Sequence, residues 1–367
     1  MNPFRFQGPP ATLIDRRDEL DVLQRAAANA VAVRLAAPRR FGKTTLLEAH
    51  LDAMRQVGHR AIRVDFSKVA TVADVAARVA LGYRDLPPDP EHLVRRWASR
   101  LGVSLKLGPV GVAVNPRPQQ LDADQARFAL LELLDLPLRL HEADAGLTVI
   151  AFDEFQDLLI ADTNLDGLMR SVIQHHGRAA GYVFAGSEPS LMRALFSEYE
   201  RPFYGQASPL ELGPLPLDEA VMDIEDALRE AGLLAEAGGA VSEIVGFTGG
   251  HPQRTILIAH HLFEVLDEDG RHDDPAGAAI ERALAATRDA HQALWDTMDR
   301  NARLVSLALA DGEPPTSRRL SEEHRVPRST LSDALDRLAS DGRNVERPES
   351  GRPFLLDPLF AEWLRRR

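Results

Sequence analysis

Residues 31–45 read VAVRLAAPRRFGKTT, a short apolar run followed by a loop that ends in Gly42-Lys43-Thr44. The helical pattern of 44–56 follows directly, so strand, glycine loop and helix come in the order that a phosphate-binding loop requires. In such a loop the backbone N–H groups line a concavity for phosphates, and the helix N-terminus adds positive potential. Ala37 stands where the usual pattern has its first glycine. The stretch alone leaves open whether the loop is a working nucleotide site.

The loop residues have separate chemical roles. Gly42 lets the backbone approach a phosphate without a Cβ, Lys43 can reach the β- and γ-phosphates, and the Thr44 hydroxyl can ligate Mg²⁺. Arg39 and Arg40 either add positive charge to the site or form a solvated loop tip. The predicted nucleotide-binding segment comprises Ala37, Pro38, Arg39, Arg40, Phe41, Gly42, Lys43, Thr44 and Thr45.

Two further apolar runs end in polar residues. LTVIAFDEF (147–155) ends in a pair of acids, of which Asp153 is predicted to hold magnesium and Glu154 to polarise the attacking water. The alternative is a pair of acids that only caps a strand end. AGYVFAGS (180–187) ends in Ser187. That serine is predicted to sense the γ-phosphate or the water, and it could equally be the N-cap of the following helix.

The order of the segments predicts an α/β fold. Strands that alternate with helices of 12 or more residues favour a mostly parallel sheet covered on both faces. We expect a nucleotide-binding core over 1–215, a helical lid over 216–297 and a winged helix-turn-helix over 298–367. Within the core, 102–115 predicts a β-hairpin, which either packs as a small ribbon or projects towards a partner subunit or ligand.

Composition excludes several classes of protein. Zero cysteines exclude disulfides, cysteine nucleophiles and thiolate metal sites. No run approaches the ~20 apolar residues of a membrane span, and MNPFRFQGPP is not a secretory signal, so we expect a cytoplasmic protein without a membrane partner. The net charge of -12 argues against a surface that coats nucleic acid.

Charge is distributed unevenly along the chain. Residues 301–367 contain 12 arginines and 11 acidic residues, so this segment has a net charge of +1 and the remainder about -13. The winged helix is therefore the candidate nucleic-acid face. Its candidate contacts are Arg325, Arg328, Ser329 and Thr330 at the start of the recognition helix, with Arg343, Arg347 and Arg352 in or near the wing.

Several pieces of the chain together resemble the archaeal-type ATPases, a family in the STAND and AAA+ part of the P-loop superfamily. The resemblance covers nearly the whole chain. The pieces are NPFRF (2–6), IDRRDELDVL (14–23), APRRFGKTTLL (37–47), VIAFDEFQDL (149–158), VFAGSEPSLMRALF (183–196), RPFYGQASPLELGPL (201–215), GGHP (249–252) and LLDPLFAEWLR (355–365). The resemblance implies an AAA+-like P-loop core that binds ATP or ADP with Mg²⁺ and hydrolyses ATP.

The resemblance also implies roles for particular residues. Lys43 and Thr44 would bind phosphate and magnesium, Asp153 would hold magnesium through water, Glu154 would be catalytic and Ser187 would be the first sensor. His251 and Pro252 would lie near the nucleotide at the start of a lid helix. Arg254 is the candidate second sensor, and the segment around Pro10 and Ile14 would cover the adenine.

One departure from the family pattern bears on activity. The family usually has an arginine after Tyr-Gly, which would complete a neighbouring subunit's site, whereas this chain has Gln206; Arg201 is the candidate substitute. An arginine finger contributes ~10³–10⁵ in rate where it operates, so we expect slow turnover. The first hypothesis is a slow ATPase that acts as a nucleotide-controlled switch, with DNA, a protein or a second copy as partner. The alternative is a nucleotide-locked module whose winged helix makes protein contacts.

Overall fold

The computed structural model describes residues 2–5, 16–86, 122–268, 272–340, 344–348 and 351–367. The predicted hairpin at 102–115 and the candidate residues Pro10, Ile14 and Arg343 lie outside these ranges. The chain divides into two compact units. We call Arg17–Ala37 with Leu46–Leu212 the sheet unit, and Met1–Arg16 with Pro38–Thr45 and Gly213–Arg367 the helical unit. The phosphate loop thus belongs to the helical unit.

The sheet unit contains a five-stranded parallel sheet with the strand order β2-β3-β4-β1-β5. Its register aligns the carboxyl ends of the strands, since Asp65 of β2 lies opposite Asp153 of β3, and Ala36 of β1 lies opposite Gly186 of β4. The strands are β1 Val33–Ala36, β2 Arg60–Asp65, β3 Thr148–Asp153, β4 Ala180–Gly186 and β5 Ser208–Glu211. The sheet confirms the predicted α/β fold class.

The central strands are apolar because they are covered on both faces. Every residue of β1, β3 and β4 is buried, which explains why their sequences lack the alternation of a half-exposed strand. Phe152 stacks between Phe66 and Tyr182, with ring centroids 5.4 and 6.0 Å away. The helices along this part of the chain are α1 Arg17–Ala28, α2 Lys43–Gln56, α3 Val72–Gly82, α4 Ala123–Leu134, α5 Leu136–Asp144, α6 Leu158–Ala161, α7 Leu165–Ile173 and α8 Pro189–Ser197.

From Gly213 onwards, the regular elements described in the helical unit are helices until the last part of the unit. There, three helices are followed by a two-stranded antiparallel ribbon, β6 Val345–Glu346 and β7 Phe354–Leu355, in the element order of the predicted winged helix. The helices of this unit are α9 Leu217–Glu230, α10 Leu234–Ala237, α11 Ala240–Thr248, α12 Pro252–Asp267, α13 Pro275–Thr297, α14 Arg300–Ala310, α15 Arg318–His324, α16 Arg328–Ser340 and α17 Pro358–Arg365.

A double-glycine turn joins α11 to α12. Gly249 and Gly250 have φ values of +58° and +74°, which side chains disfavour. Gly250 also lies against Leu215: its carbonyl accepts from Leu215 N at 2.8 Å, and a Cβ on Gly250 would collide with the carbonyl oxygen of Leu215. The turn fixes where α12, which carries three candidate nucleotide contacts, begins.

Within the described ranges, no helix combines the length and the apolar character that crossing a membrane would need.

Candidate functional site

The phosphate loop has the local geometry that its sequence predicts. β1 ends at Ala36 and α2 begins at Lys43, with Gly42 between them at φ +83°. Ala37 is fully buried, does not have a positive φ, and donates its backbone N–H to Gly186 O at 3.3 Å. An alanine methyl group therefore causes no backbone strain at this first position of the loop.

Lys43 and Thr44 form the first turn of α2. The first backbone N–H groups of a helix have no acceptor within that helix. They can therefore donate hydrogen bonds to a bound anion. Lys43 is buried, whereas Thr44 is exposed. Arg40, with its backbone at φ +71°, and Arg39 have exposed side chains next to this turn.

The first acid of the pair, Asp153, ends β3 and is 2% exposed. Its Oδ1 accepts from Glu154 N at 3.0 Å, and its Oδ2 accepts from Arg63 Nη2 at 2.8 Å. Arg63 also donates to Glu48 at 3.1 Å. Burial lowers the pKa of Arg63, but Asp153 and Glu48 outweigh it and raise that pKa above its ordinary value.

The oxygen atoms at this site are of the kind that bind a hard cation such as Mg²⁺. The described residues contain no group of three or more acidic or histidine side chains that would hold a metal ion by themselves. Mg²⁺ is commonly bound through one or two protein oxygens together with phosphates and water. The carboxylate of Asp153 offers oxygens of this kind.

Glu154 lies in a left-handed backbone conformation, with φ 51° and ψ 46°. Its Oε2 accepts hydrogen bonds from Ser187 Oγ at 2.7 Å, from Ser187 N at 3.1 Å and from Gln156 Nε2 at 2.7 Å. The structure therefore brings together the predicted catalytic acid and the predicted sensor. Ser187 is not an N-cap, because α8 is preceded at its N-cap position by Glu188.

His251 is the N-cap of α12 and is followed by Pro252 at the first helical position. Its Nδ1 accepts from the backbone N of Arg254 at 3.3 Å, and its ring lies 4.9 Å from that of Phe41 in the phosphate loop. Burial lowers the pKa of His251 to about 4. The imidazole is consequently neutral at pH 7 and can act as the acceptor that caps α12.

Arg254, the candidate second sensor, is buried and pairs with Asp357 at the start of α17. Its Nε donates to Asp357 Oδ1 at 2.9 Å and its Nη2 donates to Oδ2. Arg40 Nη1 lies 3.8 Å and His291 Nε2 3.5 Å from Asp357 Oδ2. We call Arg40, Arg254, His291 and Asp357 the Asp357 cluster.

The charge of the cluster depends on ionised Asp357. Burial opposes ionisation, but the contacts with His291 and Arg254 outweigh it and hold the pKa of Asp357 well below its usual range. The same carboxylate accepts from Leu359 N at 3.0 Å and so caps α17.

Gln206 lies in a polar group of the sheet unit. Its Oε1 accepts from Arg170 Nη2 at 2.7 Å, and its Nε2 donates to Tyr204 O at 3.2 Å. Arg201, the candidate substitute for an arginine finger, lies 3.7 Å from Asp166 and 3.7 Å from Glu198.

Two of the candidate DNA-contacting arginines have partners in the C-terminal part of the chain. Arg347 pairs with Asp336, and Arg328 Nε donates to Thr316 O at 2.9 Å. Arg325 is the left-handed C-cap of α15, and Arg352 is exposed near the ribbon. Ser329 and Thr330 lie in the first turn of α16.

Three residues of this structure were not predicted from the sequence. Arg63 and Gln156 contact the two acids of the pair, and Asp357 anchors Arg254. Gln156 could have been noticed, because it follows Glu154 by two residues in DEFQ, and Asp357-Pro358 is a helix-start signal. Nothing in the local sequence indicates their partners.

Comparison with solved structures identifies chains of the same fold. A Walker-type ATPase of Pyrococcus abyssi matches with a TM-score of 0.65 at 21% identity, over 96% of each chain. The ORC2 protein of Aeropyrum pernix, in complexes with ADPNP and ADP, matches with a TM-score of 0.60 at 15% identity, over 99% of this chain and 95% of that chain. Its ADP form matches with a TM-score of 0.53 at 15% identity, over 99% and 96%. No family model matches, and neither does any curated protein.

These similarities extend along nearly the whole chain and show a shared fold. They agree with the predicted α/β fold class.

Proposed function

On the premise of this shared fold, we propose that the chain is a Mg²⁺-dependent ATP-binding protein that hydrolyses ATP slowly and acts as a nucleotide-controlled switch. The observation that carries the proposal is the contact of Glu154 with Ser187 at the carboxyl ends of neighbouring strands, directly after Asp153. Ligands of open parallel sheets bind at this edge. The two solved relatives described as an ATPase and as nucleotide complexes support a nucleotide as the ligand.

In this proposal the residues divide into binding and hydrolysis. Lys43 and the backbone N–H groups of 39–45 bind the phosphates, while Thr44 and Asp153 hold the magnesium ion. The ion neutralises charge on the phosphates when it is bound. Glu154 orients the attacking water and takes its proton as the γ-phosphate is transferred.

Two observations support slow turnover and a switch. Gln206 carries no charge that could stabilise a transition state. Arg40 and Arg254, both candidates for phosphate contact, instead lie against Asp357 of α17. A phosphate group bound by these arginines would compete with the carboxylate, which would link nucleotide binding to the C-terminal helix.

DNA remains a candidate partner through Arg325, Arg328 and Arg352. The ion pair of Arg347 with Asp336 favours instead a winged helix that makes protein contacts, since paired arginines are less available to phosphates. A DNA titration at several salt concentrations separates the two roles.

Glu154→Gln is the variant that tests hydrolysis. We expect it to bind ATP like the wild type and to release no phosphate above background, because an amide cannot take the proton of the water. Glu142→Gln is the matched control, since Glu142 is an exposed acid of α5 in the same unit and should leave the rate unchanged.

Equal phosphate release by wild type and Glu154→Gln would remove hydrolysis from the proposal. Nucleotide that copurifies without turnover would then favour the nucleotide-locked module, and native mass spectrometry would report the bound nucleotide and the subunit count together.

A further inference from the structure

Gln156 is a buried side chain next to the acid pair that the proposed mechanism does not use. It is 3% exposed and lies in the short turn Phe155–Asp157 that follows β3. Its Nε2 donates to Glu154 Oε2 at 2.7 Å and also lies 3.2 Å from Asp157 Oδ1. The orientation of the amide follows from these neighbours, since an amide oxygen in that place would face two carboxylate oxygens.

The oxygen of this amide accepts no hydrogen bond from the described residues. Gln156 Oε1 is buried without a hydrogen-bond partner there. It lies beside Gly186, where any Cβ would collide with it and with Met192. A buried amide oxygen without a partner destabilises a fold, so an apolar side chain of the same length would suit the packing better. The amide is therefore unfavourable for stability, and its benefit must come from the donor end.

We infer that Gln156 is a positioning residue for Glu154, whose amide fixes the carboxylate in the orientation that faces Ser187. The inference rests on the proposed role of Glu154 in hydrolysis. Glu154 has a left-handed backbone that few residues other than glycine and asparagine favour. The carboxylate is held by donors from two sides, with Ser187 at the end of β4 and Gln156 in the turn after β3.

The test uses two replacements of similar size, Gln156→Met, which removes the donor, and Gln156→Glu, which adds a charge. We expect kcat for ATP hydrolysis to fall about tenfold or more in Gln156→Met, with the Kd of ATP unchanged. kcat should fall further in Gln156→Glu, because the added carboxylate repels that of Glu154 and turns it away from Ser187. The melting temperature of Gln156→Met should equal or exceed that of the wild type.

Gln174→Met is the matched control, because Gln174 is exposed at the end of α7 in the same unit. It should retain the wild-type kcat, Kd of ATP and melting temperature. Wild-type kcat in Gln156→Met would overturn the inference, and so would a clear loss of stability or of ATP binding in this variant, which would mark Gln156 as structural. The first of these outcomes leaves the proposed function intact if Glu154→Gln is inactive. A wild type that does not hydrolyse ATP overturns both.

Discussion

Asp357 contacts residues of the phosphate loop and of α12, and it caps α17. Its carboxylate pairs with Arg254 through both oxygens, lies near Arg40 and His291, and caps α17. Arg254 is only 6% exposed, so it would be left as an unpaired buried charge without this partner.

We expect Asp357→Asn to lower the free energy of unfolding by roughly 3–5 kcal/mol, the cost of breaking a buried ion pair by removing one partner. Asp336→Asn is the control, because its pair with Arg347 is about half exposed and should contribute only ~0–1 kcal/mol. Denaturant unfolding at pH 7 measures both. Equal effects of the two substitutions would contradict the buried role of Asp357.

The effect of Asp357→Asn should also depend on pH. The pKa of Asp357 is depressed in the folded state, so its stabilisation is complete above the unfolded pKa of ~3.9 and is lost as pH falls towards the folded pKa. Asparagine does not titrate. The difference in stability between wild type and variant should therefore be constant from pH 7 to about 5 and shrink below about 4.

At the residue scale, sequence patterns predict which side chains have suitable chemistry, but they do not predict which side chains contact each other. Asp153, Glu154 and Ser187 were predicted because each follows an apolar strand, and the structure places Glu154 against Ser187. Arg63 was not predicted, because β2 meets Asp153 only once the strands pair, whereas Gln156 lies two residues from Glu154 and could have been noticed in DEFQ.

The turn between α11 and α12 requires glycine at position 250 for steric reasons as well as for its backbone conformation. Gly250 has φ +74°, and a Cβ at this position would collide with the carbonyl oxygen of Leu215. Gly246 lies within α11, and a Cβ at that position would have open space around it. We expect Gly250→Ala to lower stability by at least ~1–3 kcal/mol through backbone strain. Gly246→Ala should raise stability by ~0.4–1 kcal/mol, since it favours the helix.

Thermal unfolding of the two alanine variants measures this difference. A Gly250→Ala protein as stable as the wild type would show that the turn rearranges without cost, and the position of His251 and Arg254 could then not depend on it.

At the element scale, the sequence predicts the central residues of a strand better than its first and last residues. The apolar run at the start of 31–45 contains the strand Val33–Ala36, and the run 147–155 contains the strand Thr148–Asp153. Burial on both faces makes the strand interiors apolar, a signal present in the sequence. The ends depend on which backbone groups find a neighbouring strand, which the local sequence does not encode.

At the scale of the whole molecule, net charge limits how strongly the chain can bind DNA. The chain has a net charge of -12, and Arg347 of the ribbon is paired. We expect only weak binding of duplex DNA, with a slope of log K against log[salt] no steeper than about -2, equivalent to roughly two neutralised phosphates. Arg352→Ala should reduce that slope by about 1 if Arg352 contacts a phosphate.

Fluorescence anisotropy of a labelled duplex at several salt concentrations measures the slope. A slope of about -5 or steeper would contradict the expectation, because it would require several arginines to leave their present partners.

The sequence by itself determined the fold class and the chemistry of the candidate site. Apolar runs, the glycine loop and the acid pair are local signals, because burial and phosphate geometry restrict residue types along a continuous stretch of chain. Only the tertiary structure decided which charges meet. Asp153 pairs with Arg63, and Arg254 pairs with Asp357. Partners up to 103 residues apart come together through the packing of strands and helices, and no local pattern records that distance.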